Sequence, residues 1–471
     1  MTEALARVWR RLPSRDAWLA APVDISWLVA LRVLLGLTLC VSMWRFLAYG
    51  WVDALFTSPR FHFKYWGLSW VEPLSASGMH TLFWAMSGIA LCVAAGVFYR
   101  VTSCLLALGL FYVQAVDVSN YLNHYYLAWL LSLLLMVAPA HRAASFDARF
   151  GICRPEAQVS RAWLLLFRFQ VGVVYTFAGL AKAHADWLLH GEPLAIWLSA
   201  RSDLPWIGPL FSLPYAPLVM SWAGFLFDSS VVWFLLWSRT RPYAYAVLIG
   251  FHIVTRALFP IGMFPVIMVL AALVFFAPDW PRRLLRRVRA RSRAVEVGEA
   301  LVPRLRWNRL GLVVAGVYCA LQLILPLRFL AYGGNVRWHE QGMRFSWRVM
   351  LREKNGSVTF VVRQKQTQRT FHVSPRRYLT RLQEREMSSQ PDLIAQLAKH
   401  VRRDFAARGL GDVEVRADAW VSLNGRRMAR LVDPNVDLAA VPNDLAAASW
   451  ILPAPSGPPP SRGDGVLLAR H

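Results

Sequence analysis

The chain has 471 residues, of which 56% are hydrophobic, with 22 tryptophans and a mean hydropathy of +0.36. Several apolar runs are long enough to span the roughly 30 Å hydrocarbon core of a bilayer, which excludes an ordinary soluble protein. The formal net charge of +24 would suggest a nucleic-acid partner for a soluble protein, but here the arginines cluster in short loops between apolar runs. We therefore predict a polytopic protein whose main partner is the lipid bilayer, with no nucleic-acid partner.

Nine apolar segments have the length and composition of membrane spans. In chain order they are 25–48, 79–98, 102–117, a fourth ending near 138, 162–183, 217–237, a seventh containing His252, an eighth ending near 276, and 308–327. The first contains Arg32, which must face the bundle interior rather than lipid. The seventh and eighth segments are short, so an alternative interpretation is that together they form a single re-entrant feature.

Arginine-bearing loops alternate with apolar or weakly charged ones along the chain. The basic loops contain Arg100, 142–161, 239–241 and 282–306. Because cytoplasmic loops are enriched in Lys and Arg, this alternation predicts a cytoplasmic N-terminus. Nine spans then place the residues after about 328 outside the cytoplasm, in a multi-pass protein of the cell membrane.

The predicted fold class is a polytopic α-helical membrane protein with a C-terminal extracytoplasmic α+β domain. The predicted domains are a cytoplasmic amphipathic segment at 1–24, transmembrane helices at 25–327, an α+β domain at 328–450 and a disordered tail at 451–471. Within the α+β domain we predict strands at 358–362, 370–373 and 413–417, helices between 374 and 405, and turns at 355–356 and 424–425.

The five cysteines lie in or beside apolar runs and show no spacing typical of a metal site. The sequence also lacks a glycine-rich phosphate loop, a nucleophile elbow and an HExxH pattern. We therefore expect neither a disulfide framework nor a bound metal.

Lys182 is the central polar residue, near the end of the apolar run 162–183. A lysine at this depth can snorkel and pair with Asp186 one helical turn later. Alternatively, its amine is desolvated and acts as a base or nucleophile near neutral pH. The sequence leaves both interpretations open.

Ionisable residues occur in separate apolar segments at related depths. The topology places His124 and Asn123 at the same membrane edge as Lys182, with Asp228 and His252 nearer the middle of their segments. Because intramembrane ionisable groups are costly, we predict that the set lines a shared polar cavity that opens outward. The alternative is that each one pairs locally and fixes helix packing. Two neighbours are interpreted as interfacial: Tyr126 in an aromatic belt and His184 in a loop.

With these residues in view, the chain resembles the vitamin K-dependent gamma-glutamyl carboxylase family and its bacterial relatives with an HTTM domain. The likeness runs from about the first span to about residue 440. It rests on Tyr175-x-x-Ala178-Gly179-x-x-Lys182-x-x-Ala185-Asp186-Trp187, Asn123-His124-x-Tyr126, Gly224-x-x-x-Asp228, His252 with 261–264, Phe345-Ser346-Trp347-Arg348-x-Met350, Trp420-Val421-Ser422-x-Asn424 and Asp433-Pro434-x-Val436-Asp437.

The resemblance implies a carbon-carbon lyase that also epoxidises a quinol. In that family a lysine takes a proton from vitamin K hydroquinone, oxygen converts the hydroquinone to an epoxide, and CO2 adds to a substrate glutamate. It implies Lys182 as the base, with Asn123, His124 and His252 orienting the quinol or polarising charge. Quinone binding or structural support is implied for Asp228, Asp186, Tyr126 and Trp187. The implied co-substrates are reduced vitamin K or menaquinol, O2 and CO2, without a metal.

The sequence also departs from the animal enzymes. Ala181 stands where they have a second lysine, His184 replaces an acidic residue, and the chain stops soon after the Asp433-Pro434 motif. Quinol binding or epoxidation is therefore better supported than carboxylation of a glutamate-containing protein or peptide on the extracytoplasmic side. The alternative from another class is a quinone- or lipid-binding membrane scaffold without carboxylase activity. A transporter ranks third, because no inverted repeat is visible.

Overall fold

The structure is a computed structural model that describes residues 18–288 and 307–460. Most of the predicted cytoplasmic segment 1–24, much of the basic loop 282–306 and the end of the predicted tail lie outside the described residues. The described part consists of a helical domain followed by a smaller domain built on a β-sheet.

A helix lies at each of the nine predicted positions within the described residues. They are α1 Ser26–Ala48, α2 Ala76–Ala95, α3 Tyr99–Val116, α4 Asn123–Val137, α5 Arg161–Lys182, α6 Ala216–Leu236, α7 Arg241–Leu258, α8 Phe264–Ala271 and α9 Arg309–Leu327. Shorter helical segments are Asp53–Thr57, Val118–Asn120, Phe146–Arg149, Ala185–Leu188, Leu194–Ser199, Gly208–Phe211, Ala272–Phe275, Trp280–Val288, Arg328–Ala331 and Val336–His339. Strands β1 Pro22–Asp24 and β2 Gln158–Ser160 pair antiparallel beside the helices.

Six of these helices are long and apolar enough to cross a membrane: α1, α2, α3, α5, α6 and α9. The eighth predicted span is instead a bent pair, because the helix over Phe264–Phe275 turns by 97° into the one that begins at Trp280. With 15 residues, α4 rises only about 22 Å, short of the hydrocarbon thickness. Nine crossings and the outward placement of the C-terminal domain stay predictions, which labelling introduced cysteines from each side of the membrane would test.

The buried Arg32 of α1 faces the interior of the helical domain, as predicted. Its guanidinium donates to the carbonyl oxygens of Ala94 at 3.2 Å, Ala140 at 2.6 Å and Ala144 at 2.6 Å. Backbone acceptors thus replace water around this charge, which is how an arginine is accommodated at a helix packing interface.

The C-terminal domain has an antiparallel sheet in the order β4-β3-β5-β6. Its elements are β3 Lys354–Gln364, β4 Thr370–Val373, a 3-10 turn Pro375–Arg377, α10 Arg381–Met387, α11 Pro391–Ala407, β5 Val413–Leu423 and β6 Ala429–Arg430. Alternate residues of β5 are buried, as expected for a strand with one face on a core. That core joins Phe360 and Val415 of the sheet to Leu397 of α11.

Two sequence expectations for this domain are wrong. Asn355 and Gly356 do not form a turn, because they pair with Ser422 and Val421 inside the β3–β5 ladder. The tail does not begin at residue 451, because Ile451 bridges to Val432 in the domain core. The second predicted turn is present after β5, where Asn424 takes a left-handed φ of 51°.

The C-terminal domain packs directly on loops of the helical domain. Gln383 of α10 donates to Oδ2 of the buried Asp117 at 2.8 Å, and His62 lies 3.3 Å from the same oxygen. Gln396 of α11 exchanges hydrogen bonds of 2.8 and 3.0 Å with the backbone of Lys64. Because these contacts join loops preceding α2 and α4 to both helices of the C-terminal domain, they fix its position against the membrane helices.

Candidate functional site

A cavity of about 750 Å³ lies between the helices and the C-terminal domain. That volume falls in the range typical of small-molecule sites. Its wall is mostly apolar and aromatic and comes from α1, α4, α5, α6, α7 and the loop before α8. Val349, Met350 and Leu382 complete the wall from the C-terminal domain. Both domains therefore contribute to the cavity wall.

All four of the predicted ionisable residues line this cavity, together with Asn123. They are His124 on α4, Lys182 on α5, Asp228 on α6 and His252 on α7. Their side chains come from four different helices, so the prediction that they share a cavity is confirmed. The wall is mostly apolar rather than polar, and the outward opening stays a prediction. The catalytic roles of these residues stay predictions.

The face of α5 that meets the cavity carries Tyr175, Ala178 and Lys182. These residues are spaced i, i+3 and i+7, so helical geometry places them on one side. Lys182 is in the last turn, where its ammonium donates to the Ala178 carbonyl at 3.3 Å. The lysine thus points into the cavity rather than along the helix toward the membrane edge.

The partner of Lys182 is Asp228, so the alternative in which Lys182 pairs with Asp186 is wrong. Nζ of Lys182 lies 2.6 Å from Oδ2 of Asp228, and each side chain is only 8% exposed. Asp186 lies beyond the end of α5, in the next short helix, where its carboxylate turns toward the C-terminal domain. Burial removes the hydration of both charges, so the pair is held by mutual attraction and by close helix contact.

Gly179 explains how α5 and α6 come close enough for this pair. A Cβ at Gly179 would lie 2.6 Å from Oγ and 2.9 Å from the backbone N of Ser229. Ser229 follows Asp228 directly, so the missing side chain at 179 allows the helix contact that brings Asp228 to Lys182. The Ala178-Gly179 pair in the sequence motif therefore has a packing reason.

His252 is held by Tyr175 across the cavity wall. The Tyr175 hydroxyl lies 3.0 Å from Nε2 of His252, and the Nδ1 atom of this buried histidine has no hydrogen-bond partner among the described residues. Phe227 and Phe264 surround the ring. Sequence reasoning placed Tyr175 only within the lysine motif, although its spacing from Lys182 would have put it on the same helix face.

Asn123 and His124 begin α4 and also line the cavity. The Asn123 side-chain oxygen accepts from the Tyr121 hydroxyl at 3.0 Å. The His124 ring lies under the loop before α8, where a Cβ on Gly262 would be 3.4 Å from it. Gly262 has a φ of 60°, a conformation that glycine adopts without strain, so this loop can close over the histidine.

Of the residues expected to support the site, Trp187 is at the cavity and Tyr126 is not. The ring of Trp187 has its centroid 5.3 Å from Nζ of Lys182, and its indole N–H donates to the Ser221 carbonyl at 2.7 Å. Tyr126 instead stacks on Trp347 at a centroid distance of 5.0 Å, so it supports the contact between domains. Because it is buried there, an aromatic-belt position at the lipid interface is wrong.

Asp186 clamps the loop after Lys182 to the C-terminal domain. Its carboxylate accepts two hydrogen bonds from Arg426, at 2.7 and 2.9 Å, and one from Asn424 at 2.8 Å. Arg337 approaches it at 3.8 Å. Burial raises the pKa of the Asp186 carboxyl, but these donors and charges lower it further, to about 2. Asp186 is therefore a permanent anion at neutral pH.

His184 belongs to the same cluster and confirms its expected position in the loop. Its Nδ1 accepts from the Trp187 backbone N–H at 3.2 Å and from Arg337. Burial and the Arg337 charge lower the pKa of His184 to about 3. The ring is therefore neutral, and it orients Trp187 without acting as a proton donor at neutral pH.

The segment that brings Met350 to the cavity has an unusual backbone. Phe345, Trp347 and Met350 have φ values of 61°, 58° and 53°, in the left-handed region that non-glycine residues rarely adopt. Such conformations persist only where surrounding structure enforces them, and they concentrate at functional sites. Val349 and Met350, at the end of this segment, line the cavity, so the unusual backbone helps to shape the wall. Within the described residues, no group of three His, Cys, Asp or Glu side chains is arranged to hold a metal ion.

Two family models match the chain. Residues 20–280 match the HTTM domain, and residues 307–457 match the lumenal domain of vitamin K-dependent gamma-carboxylase. The first match alone covers more than half of the 471 residues. The second includes α9 together with the sheet domain. No solved structure matches the chain.

Proposed function

This chain belongs to the gamma-carboxylase family of HTTM-domain membrane proteins, as its motifs indicated, and we propose that it uses Lys182 as a base on a reduced naphthoquinone. The observation that carries the proposal is the buried contact of Lys182 with Asp228 inside a large apolar cavity. The family implies reduced vitamin K, O2 and CO2 as co-substrates. The cavity volume and its aromatic lining fit a bicyclic quinol with a lipid-soluble tail.

A lysine acts as a base only after its ammonium has lost a proton. Asp228 is the nearest carboxylate, at 2.6 Å. A proton that moves from Lys182 to Asp228 leaves the pair uncharged, and the total charge of the buried site does not change. Transfer within the pair therefore avoids an isolated buried charge, the costly alternative. In this proposal Asp228 accepts the proton and Lys182 then takes one from the quinol.

The other polar groups position the quinol. His252 presents a ring fixed by Tyr175, and Asn123 has its amide nitrogen free of any partner in the described residues. His124 lies beside the same space. Directional donors in an apolar wall fix the orientation of a ligand more than its affinity. We assign these three residues to orienting the quinol oxygens.

The test is quinol epoxidation by the purified protein. Incubation with menaquinol or vitamin K hydroquinone and O2 should give the epoxide, and Lys182→Ala should lower its rate by at least about 100-fold, the usual loss for a general base. Lys365→Ala is the matched control, because Lys365 is an exposed lysine of the C-terminal domain.

An absent epoxide, or the same rate from Lys182→Ala, would reject the proposal. If quinone still binds in that case, the protein is a quinone-binding scaffold. Carboxylation is a separate step, read from labelled CO2 entering a glutamyl peptide supplied on the side of the C-terminal domain.

A further inference from the structure

One cation on the cavity wall has no acidic partner among the residues that the structure describes. Arg45 lies in the last turn of α1 and lines the cavity. Its guanidinium carbon is 5.6 Å from the ring centroid of Tyr49 and 5.3 Å from that of Trp51. Aromatic faces attract a cation without neutralising it, so the rings hold the guanidinium and leave its charge and donors available.

The charges on the described cavity wall do not balance. Lys182 and Asp228 neutralise each other, and Arg45 remains as one positive charge. The ionisable side chains that face it from neighbouring elements are Tyr49, His124 and Tyr125, none of them an acid. The next acid along the chain, Asp53, is bonded to Thr57 and His80 instead. A low-dielectric cavity with a single positive charge favours a ligand with one negative charge.

We propose that Arg45 is an anion subsite of this cavity and binds the oxyanion of a deprotonated aromatic quinol. This inference rests on the proposed function and specifies how its substrate is held. When neutral Lys182 takes the hydroxyl proton, the O–H bond breaks and its electron pair stays on oxygen. Asp228 then releases to solvent the proton that it had accepted from Lys182 and is a carboxylate again. It balances the Lys182 ammonium, so Arg45 is the charge left to balance the oxygen.

The surroundings of Arg45 favour an aromatic anion over an aliphatic carboxylate or a lipid phosphate. Phe46, Trp51 and Phe264 line the cavity with flat rings, which suit a bicyclic ring system. A carboxylate or phosphate presents several oxygens and needs several donors. Apart from Arg45, Asn123 and His124, this part of the described wall offers mainly apolar side chains such as Leu55 and Leu122.

The test is the ionisation of bound 1-naphthol, which has a single hydroxyl and an anion that absorbs at longer wavelength than the neutral form. Titration with pH at saturating protein gives the pKa of the bound probe without any turnover. We expect the wild-type protein to lower this pKa relative to empty micelles. Arg45→Gln should raise it by about one unit, a tenfold change in the ionisation constant. Arg45→Lys should keep most of the effect.

Arg60→Gln is the control, because it removes one charge from an exposed position in the loop after α1. Thermal unfolding of each variant separates a loss of charge from a loss of fold. Equal titration of the probe in wild type and Arg45→Gln would overturn the inference, as would a wild-type protein that leaves the naphthol pKa unshifted.

A third contradicting outcome is that Arg45→Gln weakens only binding of a blocked glutamate dipeptide, which would make the subsite a carboxylate site. The result is independent of epoxidation. If no epoxide forms and the naphthol shift still depends on Arg45, the proposed function fails and the anion subsite stands.

Discussion

At the scale of single residues, the pairing of Lys182 with Asp228 decides what the cavity can do. The two atoms are 2.6 Å apart and both side chains are nearly excluded from solvent. A buried pair of this kind adds little net stability, because desolvation offsets the attraction, but it is costly to break. The pair is therefore better explained by a chemical role than by a structural one.

We predict that Asp228→Asn lowers both stability and epoxide formation. The amide leaves a buried ammonium uncompensated, so the free energy of unfolding should fall by about 3 kcal/mol. It also removes the proposed proton acceptor, so epoxide formation should fall by about 100-fold. Thermal or denaturant unfolding and the epoxide assay measure the two effects.

The double variant Lys182→Met with Asp228→Leu is the control, since apolar residues of similar size often replace a buried ion pair without loss of stability. It should recover stability and stay inactive. A double variant as unstable as Asp228→Asn would contradict this account of the pair.

The sequence was sufficient to identify four ionisable residues that line the cavity, but not the contribution of Tyr175 and not which side chains pair with each other. His124, Lys182, Asp228 and His252 stood out because an ionisable group is rare in an apolar run. Spacing along one helix favoured Asp186 as the partner of Lys182, whereas the real partner is 46 positions away on α6. Which helices touch, and at what depth, depends on packing that a periodic pattern does not encode.

At the scale of elements, the contact between α5 and α6 sets the geometry of the site. Gly179 faces Ser229 at a distance that leaves no room for a side chain. Gly172, two turns earlier on α5, faces only a Val232 methyl group 3.6 Å from a Cβ position. On α5, the position of Gly179 therefore has no space for a side chain, whereas the position of Gly172 has space for one.

Gly179→Ala should force α5 and α6 apart, and Gly172→Ala should not. For the first we expect a loss of about 1–3 kcal/mol of stability together with reduced epoxide formation, because overpacking moves Lys182 from Asp228. For the second we expect unchanged or slightly higher stability, since alanine favours a helix over glycine. Unfolding temperatures and epoxide rates of both variants provide the comparison. Equal unfolding temperatures and equal epoxide rates for the two variants would show that the contact between α5 and α6 limits neither stability nor activity.

Long apolar elements were predictable, and short or polar ones less so. The runs that became α1, α5 and α6 contain enough apolar residues to be read directly from composition. The bend after α8 could not be read from composition, because it follows from how two short helices meet. Asn355-Gly356 has the local preference of a turn, and the long-range ladder with β5 overrides it.

At the scale of the whole molecule, Asp186 links the two domains beside Lys182. It lies four positions after Lys182, and Arg426 and Asn424 hold it from the C-terminal domain. The clamp fixes the loop that carries Trp187, whose ring lies beside Lys182. When the C-terminal domain docks, it therefore also holds Trp187 in place beside the lysine.

The clamp predicts a specific pH dependence. The folded pKa of Asp186, about 2, is below its unfolded value of about 3.9, so its stabilisation is complete above roughly pH 5 and is lost as pH falls through about 2. The difference in unfolding temperature between wild type and Asp186→Asn should be constant from about pH 5 upward and shrink toward pH 2.

Asp412→Asn is the matched control. Asp412 forms an exposed pair with Lys365, so its removal should change the unfolding temperature little at any pH. An Asp186→Asn difference that varied between pH 5 and 8 would contradict the clamp as described.

The cavity wall that Val349, Met350 and Leu382 provide also bears on how such proteins can be recombined. The two family matches look like separable modules in the sequence, yet neither encloses the ligand space alone. A chimera that joins the helices of one relative to the sheet domain of another would have to inherit the partners of Asp186 and the Phe345–Met350 segment as a unit. From this shared wall we expect the partners of Asp186 and the Phe345–Met350 segment to change together among relatives. We also expect hybrids that mismatch them to fail.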